Sequence, residues 1–372
     1  MTRYARSRTA ILTIVIFSMF NTYGQLTRRQ QTRAKIPGGA STTFTAGSPQ
    51  ASAQAELART KGAVGPQAMD GSNIVIMTAD IDNFALQFKV SAPPNELSPN
   101  ARNGAVITVA ADGRGRGSTV GANGVNVLLH GDGGQTFFDF ANQGVLNGLM
   151  GVVIMAPNDK RFWGGGSGNL RTDGALHASL VNTLIRQVLP QVMRVDENKV
   201  FFTGISGGSL MLAGFFLPMY AETYNTGVVL GCGALPPQVP TSGKFGRTLS
   251  TMRIHFQASQ EELPFLQPAI TGAVITYADE ALKAGGNAAE IGRRLTVDAT
   301  PNGAHCAFDG RDFVSGVQLV SSNYGNIVFG NGDVPGIGNV ATSVYENNQR
   351  YKSGIPVAKA TQGTLIGKAT RP

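Results

Sequence analysis

The stretch Val200-Phe201-Phe202-Thr203-Gly204-Ile205-Ser206-Gly207-Gly208 decides the fold that the sequence predicts. Its apolar first half is typical of a buried strand, and the apolar run 210–217 that follows is typical of a packed helix. Between them lies the pattern Gly-x-Ser-x-Gly, whose glycines let a strand and a helix approach closely where a Cβ would clash. This order of strand, sharp turn and helix predicts that Ser206 stands at the apex, with its hydroxyl exposed above a sheet. With 48 glycines in the chain, a chance turn is the alternative interpretation, and the flanking elements argue against it.

The composition limits the number of domains and the class of partner that the protein can have. A chain of 372 residues, 42% of them hydrophobic, is long enough for one large domain or two ordinary ones around a real core. The net charge is +8, but the lysines and arginines are scattered, and no basic patch with interleaved aromatic residues is present. The sequence therefore argues against a nucleic-acid partner.

The first residues are typical of a secretory signal peptide, which we place at 1–24. Arg3, Arg6 and Arg8 precede the apolar run 10–20, which is too short to span a bilayer comfortably. A signal anchor is the alternative interpretation. No later stretch is long and apolar enough to cross a membrane, so we expect a secreted, extracellular protein without stable membrane insertion.

The rest of the chain divides into three parts. Residues 25–70 are a low-complexity segment whose polar composition predicts disorder, residues 71–320 form the predicted globular domain, and residues 321–372 are an irregular carboxyl-terminal extension. Within the domain, strand and helix patterns alternate, which predicts an α/β fold with a mostly parallel central sheet and helices on both faces. We expect strands at 74–77, 84–90, 105–109, 125–129, 152–155, from 200, at 227–232, 254–258 and 295–297, and helices at 137–150, from 173, at 210–217 and 265–283.

A serine hydroxyl becomes a nucleophile only with a base in hydrogen-bond reach and an acid behind that base. Two histidines follow Ser206 in the sequence. His255 lies inside an apolar strand, which favours a structural role, whereas His305 lies in a polar turn just after the last predicted strand. The carboxyl ends of strands are where such sheets place their sites, so His305 is the predicted base.

The acid is expected just past the strand that precedes the last helix of the sheet. Glu261 and Glu262 occupy that place; Glu261 is the first choice, Glu262 the alternative acid and Asp298 a third candidate. Both glutamates also fit the simpler interpretation of ordinary charges near a helix amino terminus.

A negatively charged transition state at Ser206 would need backbone N–H donors. One is expected from Gly207, directly after the serine. The second is expected from the loop His130-Gly131-Asp132-Gly133-Gly134, which follows an apolar strand; Gly133 or Asp132 is the candidate, with Gly133 preferred. We expect His130 to hold this loop rather than to act as a base.

Three further predictions concern the surroundings of the site. Cys232 and Cys306 are the two cysteines, both at predicted carboxyl ends of strands, and an oxidising compartment favours a disulfide between them over two free thiols. Trp163, at the start of a glycine-rich loop, is predicted to form an aromatic wall of a cleft. The histidine spacing does not indicate a metal site, and no dinucleotide fingerprint is present, so no cofactor is expected.

With the elbow, the glycine loop and the histidine turn placed, residues 125–320 resemble the α/β-hydrolase superfamily. Within it, the chain is similar to secreted microbial esterases of the polyhydroxybutyrate-depolymerase and feruloyl-esterase-like groups. The resemblance implies an α/β-hydrolase catalytic domain at 71–320 that hydrolyses an ester through an acyl-enzyme on Ser206, with polymeric or plant-wall-derived esters among the substrates. The alternatives are a serine peptidase of the same fold and a secreted binding protein that has lost catalysis.

Overall fold

A nine-stranded sheet organises the computed structural model, which describes residues 68, 70–109, 120–134, 136–139, 144–166, 168–224, 226–299, 301, 304–306, 324–329, 333–334 and 338–339. The strands of this sheet are β1 (Asn73–Ile81), β2 (Phe84–Ala92), β3 (Val106–Thr108), β4 (Gly124–Leu129), β5 (Leu149–Ile154), β6 (Val200–Ile205), β7 (Gly227–Gly231), β8 (Arg253–Gln257) and β9 (Leu295–Asp298). A separate antiparallel pair is formed by β10 (Asp333–Val334) and β11 (Gly338–Asn339).

The strand order is β3-β1-β2-β5-β4-β6-β7-β8-β9. Strand β2 runs antiparallel to both neighbours, and every pair from β5 to β9 is parallel. These parallel strands are buried almost throughout, as strands covered on both faces must be. The order reverses at β4, which lies between β5 and β6. In open α/β sheets such a reversal marks the place of a binding crevice, here at the carboxyl ends of β4 and β6.

The helices are α1 (Thr136–Asp139), α2 (Gly174–Thr183, continued by Leu184–Val188 and Leu189–Val192), α3 (Gly207–Met211, continued by Leu212–Phe216 and Leu217–Tyr220), α4 (Phe245–Leu249), α5 (Leu266–Lys283), α6 (Ala288–Arg294) and α7 (Tyr324–Phe329). One face of the sheet packs on α2, α3 and α5, with Phe202 and Phe256 in that core. The other face, with Phe201, packs on Tyr324 of α7. With Ser206 directly after β6, this is the α/β-hydrolase fold, as predicted.

Helices α2 and α3 each contain one wider turn, and in each helix a proline just after that turn explains it. The middle segments are π-helical, with the N–H of Leu217 bonded to the carbonyl of Leu212, five residues back. The next residue, Pro218, has no N–H and would crowd the carbonyl four residues back, that of Gly214. This carbonyl accepts instead from the N–H of Gln238 at 2.7 Å. The proline thereby fastens the loop after β7 to the helix that follows the elbow.

The structure corrects one predicted helix. The sequence predicts a helix at 137–150, but the described part of α1 is Thr136–Asp139, residues 144–148 are not helical, and Met150 lies in β5. The apolar residues at the end of the predicted helix are instead buried on both faces of the sheet, which is why a helical interpretation also fitted them. Helices α4 and α6 were not predicted.

The chain ends fall mostly outside the described residues. The predicted signal peptide at 1–24 lies outside them, as does the segment 25–70 except for residues 68 and 70, and the extension 321–372 is described only at α7, β10 and β11. In the part of the chain that the structure describes, none of the helices has the length and apolar character needed to cross a membrane.

Candidate active site

The turn between β6 and α3 holds Ser206 in a strained backbone conformation. Its φ is +51° and its ψ −114°, a region that non-glycine residues rarely adopt. The neighbouring glycines explain how the turn closes. A Cβ on Gly204 would lie 2.7 Å from the backbone of Ser209, and one on Gly208 would lie 2.2 Å from the carbonyl oxygen of Leu129. The close approach therefore presses the turn against the end of β4, as the Gly-x-Ser-x-Gly pattern predicts.

Three side chains from distant parts of the sequence meet at this turn. His305 Nε2 lies 2.9 Å from Ser206 Oγ. His305 Nδ1 is hydrogen-bonded to Glu262 Oε1. A carboxylate accepts but does not donate, so Nδ1 carries the proton and Nε2 is free to accept from the serine hydroxyl. Glu262 is 3% exposed, whereas Ser206 and His305 are each about a tenth exposed at the mouth of the crevice.

The geometry corrects the choice of acid. Glu262, the alternative, is the residue bonded to His305, and Glu261, the first choice, is an exposed turn residue. Asp298 is buried in β9, where its Oδ2 accepts from Gln257 Nε2 at 3.3 Å. Glu262 Oε1 also accepts from the N–H of Leu263 at 3.2 Å, which orients the carboxylate.

The turn that carries His305 is fastened from two sides. Cys306 forms a disulfide with Cys232, at the carboxyl end of β7, with a Cα–Cα distance of 5.3 Å. This is the predicted pairing. The loop after β8 adds two hydrogen bonds: Ser259 Oγ donates to the Ala304 carbonyl at 2.9 Å, and the Gln260 N–H donates to the Pro301 carbonyl at 2.8 Å. The loops that carry the histidine and the glutamate thus hold each other.

The loop after β4 faces the elbow, but its free amide differs from the predicted one. The N–H of Gly133 donates to the carbonyl of Arg161 at 3.1 Å, so Gly133 is not available as a donor. Among the amides of 131–134, that of Asp132 has no partner within the described residues, and neither has that of Gly207 at the start of α3. A Cβ on Gly207 would lie 2.0 Å from Asp132 Oδ1, so the two residues are in contact.

Arg171 is a site residue that sequence reasoning missed. Its guanidinium forms a two-point ion pair with the Asp132 carboxylate, at 2.9 Å from Nη1 to Oδ1 and 2.6 Å from Nη2 to Oδ2. Both side chains are almost fully buried. A single arginine in a glycine-rich stretch has no spacing or neighbour that would have marked it.

Trp163 is not the predicted wall of an open cleft. It is fully buried, with its ring centroid 5.3 Å from that of His130 and 6.0 Å from that of His177. The His130 ring joins two loops: Nε2 accepts from the Ala156 N–H at 2.9 Å, and Nδ1 donates to the Gly131 carbonyl. His130 therefore holds the loop, as expected.

The three histidines that are not bonded to Ser206 are deeply buried, and burial lowers their pKa. The pKa values of His130, His177 and His255 each fall to about 4, because desolvation disfavours the charged ring. Each also has a ring nitrogen committed to a hydrogen bond; that of His177 accepts from the Gly164 N–H. Within the ranges that the structure describes, no three His, Cys, Asp or Glu side chains are grouped to hold a metal ion.

Several solved structures are similar to the chain. A thermostable esterase matches with 12% identity and a TM-score of 0.39, over 68% of this chain and 61% of the esterase, so the chain spans about three fifths of that protein. An arylesterase matches with 11% identity and a TM-score of 0.42, over 74% of this chain and 90% of the other. The acylaminoacyl peptidase of Pyrococcus horikoshii matches with 10% identity and a TM-score of 0.39, over 73% of this chain and 43% of the peptidase. No protein-family model and no curated protein matches the sequence. At such identities and TM-scores the chemistry of this chain has to be derived from its own site.

The buried histidines predict that the protein loses stability in acid. Their folded pKa near 4 lies below the ordinary 6.5, so between these values the unfolded chain binds more protons than the folded one. The free energy of unfolding should be intact above pH 6.5 and fall as the pH drops towards 4, by on the order of 3 kcal/mol for each histidine. Thermal unfolding between pH 7 and pH 4 measures this fall. In a His177→Asn variant, which keeps an acceptor for Gly164, the fall should be smaller. An unchanged dependence of the free energy of unfolding on pH would contradict the role of His177 in this fall.

The disulfide predicts a second effect on stability. Replacing Cys232 and Cys306 by serine opens a loop of 74 residues and should lower the free energy of unfolding by about 4 kcal/mol on the chain-entropy model. Denaturant unfolding measures the change, with untreated and reduced wild-type protein as controls. Hydrogen exchange should rise in the turn 304–306. Separate Cys232 and Cys306 peptides in a non-reducing digest would refute the pairing.

Proposed function

We propose that the protein is a serine hydrolase that cleaves carboxylic esters through an acyl-enzyme on Ser206. The observation that carries this proposal is the chain of hydrogen bonds from Ser206 Oγ through the two nitrogens of His305 to Glu262. A hydroxyl bonded to the unprotonated nitrogen of an imidazole, with a carboxylate behind it, is the arrangement that makes serine nucleophilic at neutral pH.

In the acylation step, Ser206 Oγ bonds to the carbonyl carbon of the ester while its proton moves to His305 Nε2. The electron pair of the carbonyl π bond moves onto the carbonyl oxygen. When the tetrahedral intermediate collapses, the bond to the alcohol oxygen breaks and Nε2 returns the proton to that oxygen. Glu262 holds the ring by its Nδ1–H and stabilises the imidazolium in between.

Deacylation repeats these steps with water. His305 Nε2 takes a proton from the water molecule as its oxygen bonds to the acyl carbon. The bond from that carbon to Ser206 Oγ then breaks, and the proton returns to the serine. The carboxylic acid leaves, and the free enzyme is restored.

The oxygen that becomes negative in both steps needs backbone donors. The amides of Asp132 and Gly207 are the candidates, because each lacks a partner in the described part of the chain and the two residues touch across the crevice. Gly207 is also the first residue of α3, where the helix dipole favours negative charge. Asp132 thereby replaces Gly133 in the proposed oxyanion hole.

The choice of ester over peptide rests on the resemblance of the elbow, glycine loop and histidine turn to secreted esterases. A serine peptidase of the same fold would use the same three side chains. Export is also part of the proposal, supported by the disulfide, because disulfides persist in oxidising compartments.

The proposal predicts labelling and turnover that depend on one hydroxyl. A fluorophosphonate probe should label Ser206 in folded protein, and short p-nitrophenyl esters should be hydrolysed. Ser206→Ala should abolish both, whereas Ser242→Ala, in the loop before α4, should change neither. A panel of acetylated sugars, feruloylated saccharides, polyhydroxyalkanoate and peptides then defines the class. Cleavage of peptides but not of esters would show a serine peptidase instead of an esterase. A wild-type protein that the probe does not label would favour a binding protein without catalysis.

Adjacent glutamates provide a matched pair of variants. Glu262→Gln should lower kcat for a p-nitrophenyl ester by about 10³-fold, because an amide favours the wrong tautomer of His305 and cannot stabilise the imidazolium. Glu261→Gln makes the same chemical change one residue away, on an exposed side chain, and should alter kcat by less than about threefold. Steady-state kinetics on both variants decide the assignment, and the reverse ranking would restore Glu261 as the acid.

A further inference from the structure

The glycine-rich loop between β5 and α2 folds around one buried arginine. Gly164 and Gly165 have φ of +74° and +76°, and a Cβ on Gly164 would lie 2.7 Å from the Arg171 Cβ. Arg171 in return donates from Nη1 to the Trp163 carbonyl at 2.8 Å and from Nε to the Gly168 carbonyl at 3.0 Å. The glycines thus give the loop the curvature that encloses this guanidinium.

The remaining donors of Arg171 reach into the neighbouring loop. They form the two-point ion pair with Asp132, and Asp132 Oδ1 also accepts from the Trp163 N–H at 3.3 Å. The side chains of Arg171 and Asp132 are 2% and 4% exposed. A planar guanidinium bound at both oxygens of a carboxylate fixes its position and its plane, which a single ammonium would not do.

This carboxylate lies beside the proposed oxyanion hole. Its Oδ1 is 2.0 Å from the place where a Cβ on Gly207 would stand. With ordinary bond lengths, Oδ1 is then within about 4.5 Å of the Gly207 nitrogen. A second negative charge that develops on the substrate oxygen would be repelled at this distance, the more strongly because the surroundings exclude water. The site works only if the charge of Asp132 is neutralised.

We propose that Arg171 is a positioning residue for the reaction at Ser206. It holds the Asp132 backbone amide against Gly207, and it cancels the charge of the Asp132 carboxylate beside the developing oxyanion. This inference rests on the proposed serine hydrolase function. The Asp132 carboxylate then shapes the loop, and the Asp132 amide binds the oxyanion. Arg171 neutralises the carboxylate, so that it does not repel the oxyanion.

The inference predicts an electrostatic effect that a merely structural ion pair would not produce. Arg171→Gln leaves the carboxylate uncompensated and should lower kcat for a p-nitrophenyl ester by about 10²-fold, the scale for loss of an oxyanion contact, with KM changed less than about threefold. Inhibition by a trifluoromethyl ketone, which forms a negatively charged adduct with the serine, should weaken by a similar factor. In the double variant Arg171→Gln/Asp132→Asn, which removes both charges, kcat should recover at least about tenfold over the single variant.

The control is Arg253→Gln, which removes a half-buried arginine at the amino end of β8. The site lies at the carboxyl ends of the strands, so this variant should leave kcat unchanged. Circular dichroism and thermal unfolding verify that each variant is folded at the assay temperature. A folded Arg171→Gln variant with kcat within threefold of wild type would overturn the inference. So would a double variant that is folded but no faster than the single one.

If Arg171→Gln does not fold, Arg171→Lys replaces it. Lysine keeps the charge but not the two-point geometry, so kcat should fall about tenfold with KM unchanged, and a kcat within twofold of wild type would overturn the inference. The wild-type protein separates the two proposals. If it neither reacts with the fluorophosphonate nor hydrolyses esters, the proposed function itself is wrong. If it does both but substitution of Arg171 leaves kcat unchanged, only the positioning role is wrong.

Discussion

The close contact of β6, α3 and β4 at three glycines is the constraint on which the site depends. Side chains at 204, 207 or 208 would meet Ser209, Asp132 or Leu129 at distances that real Cβ atoms do not show. At Gly204 and Gly208 the contact is with backbone, so it cannot be relieved by a rotamer change. At Gly207 it is with the Asp132 carboxylate, which Arg171 holds in place. This close contact accompanies the positive φ of Ser206 and places Asp132 in contact with Gly207. The proposed nucleophile and the proposed oxyanion donors therefore lie together as a consequence of one packing arrangement.

The other groups reach the crevice on loops, and each loop is fixed by a different device. The disulfide holds the histidine turn to the end of β7. His130 bridges the loops after β4 and β5 with its two ring nitrogens. The carbonyl set free by Pro218 accepts from the loop after β7. Loops are ordinarily the least rigid parts of a fold, and these contacts provide the preorganisation that the proposed proton transfer would require.

The parts predictable from the sequence were those encoded by local patterns. The elbow, the parallel sheet and the choice of His305 follow from strand periodicity, glycine spacing and chain order. The errors arose where tertiary contacts decide. Glu261 and Glu262 are adjacent in an irregular turn, which has no periodicity to say which side chain points inward. Gly133 looked like a free donor because the sequence gives no sign that the Arg161 carbonyl would bond its amide. The position of Trp163 at the start of a glycine-rich loop predicts a cleft wall, but the two histidine rings beside it come from other elements.

The hydrogen-bond partners of the four histidines explain why His305 is the proposed base. His130 and His255 have both ring nitrogens bonded inside the protein, and His177 is bonded to a backbone amide; burial lowers the pKa of all three, so they act as neutral connectors. His305 alone has a hydroxyl on one side and a carboxylate on the other, at the rim of the crevice where a substrate can reach it. The carboxylate of Asp132, beside Gly207, is paired with Arg171. Glu262, bonded to Nδ1 of the ring, is therefore placed to stabilise the positive charge that the proposed reaction would form on His305.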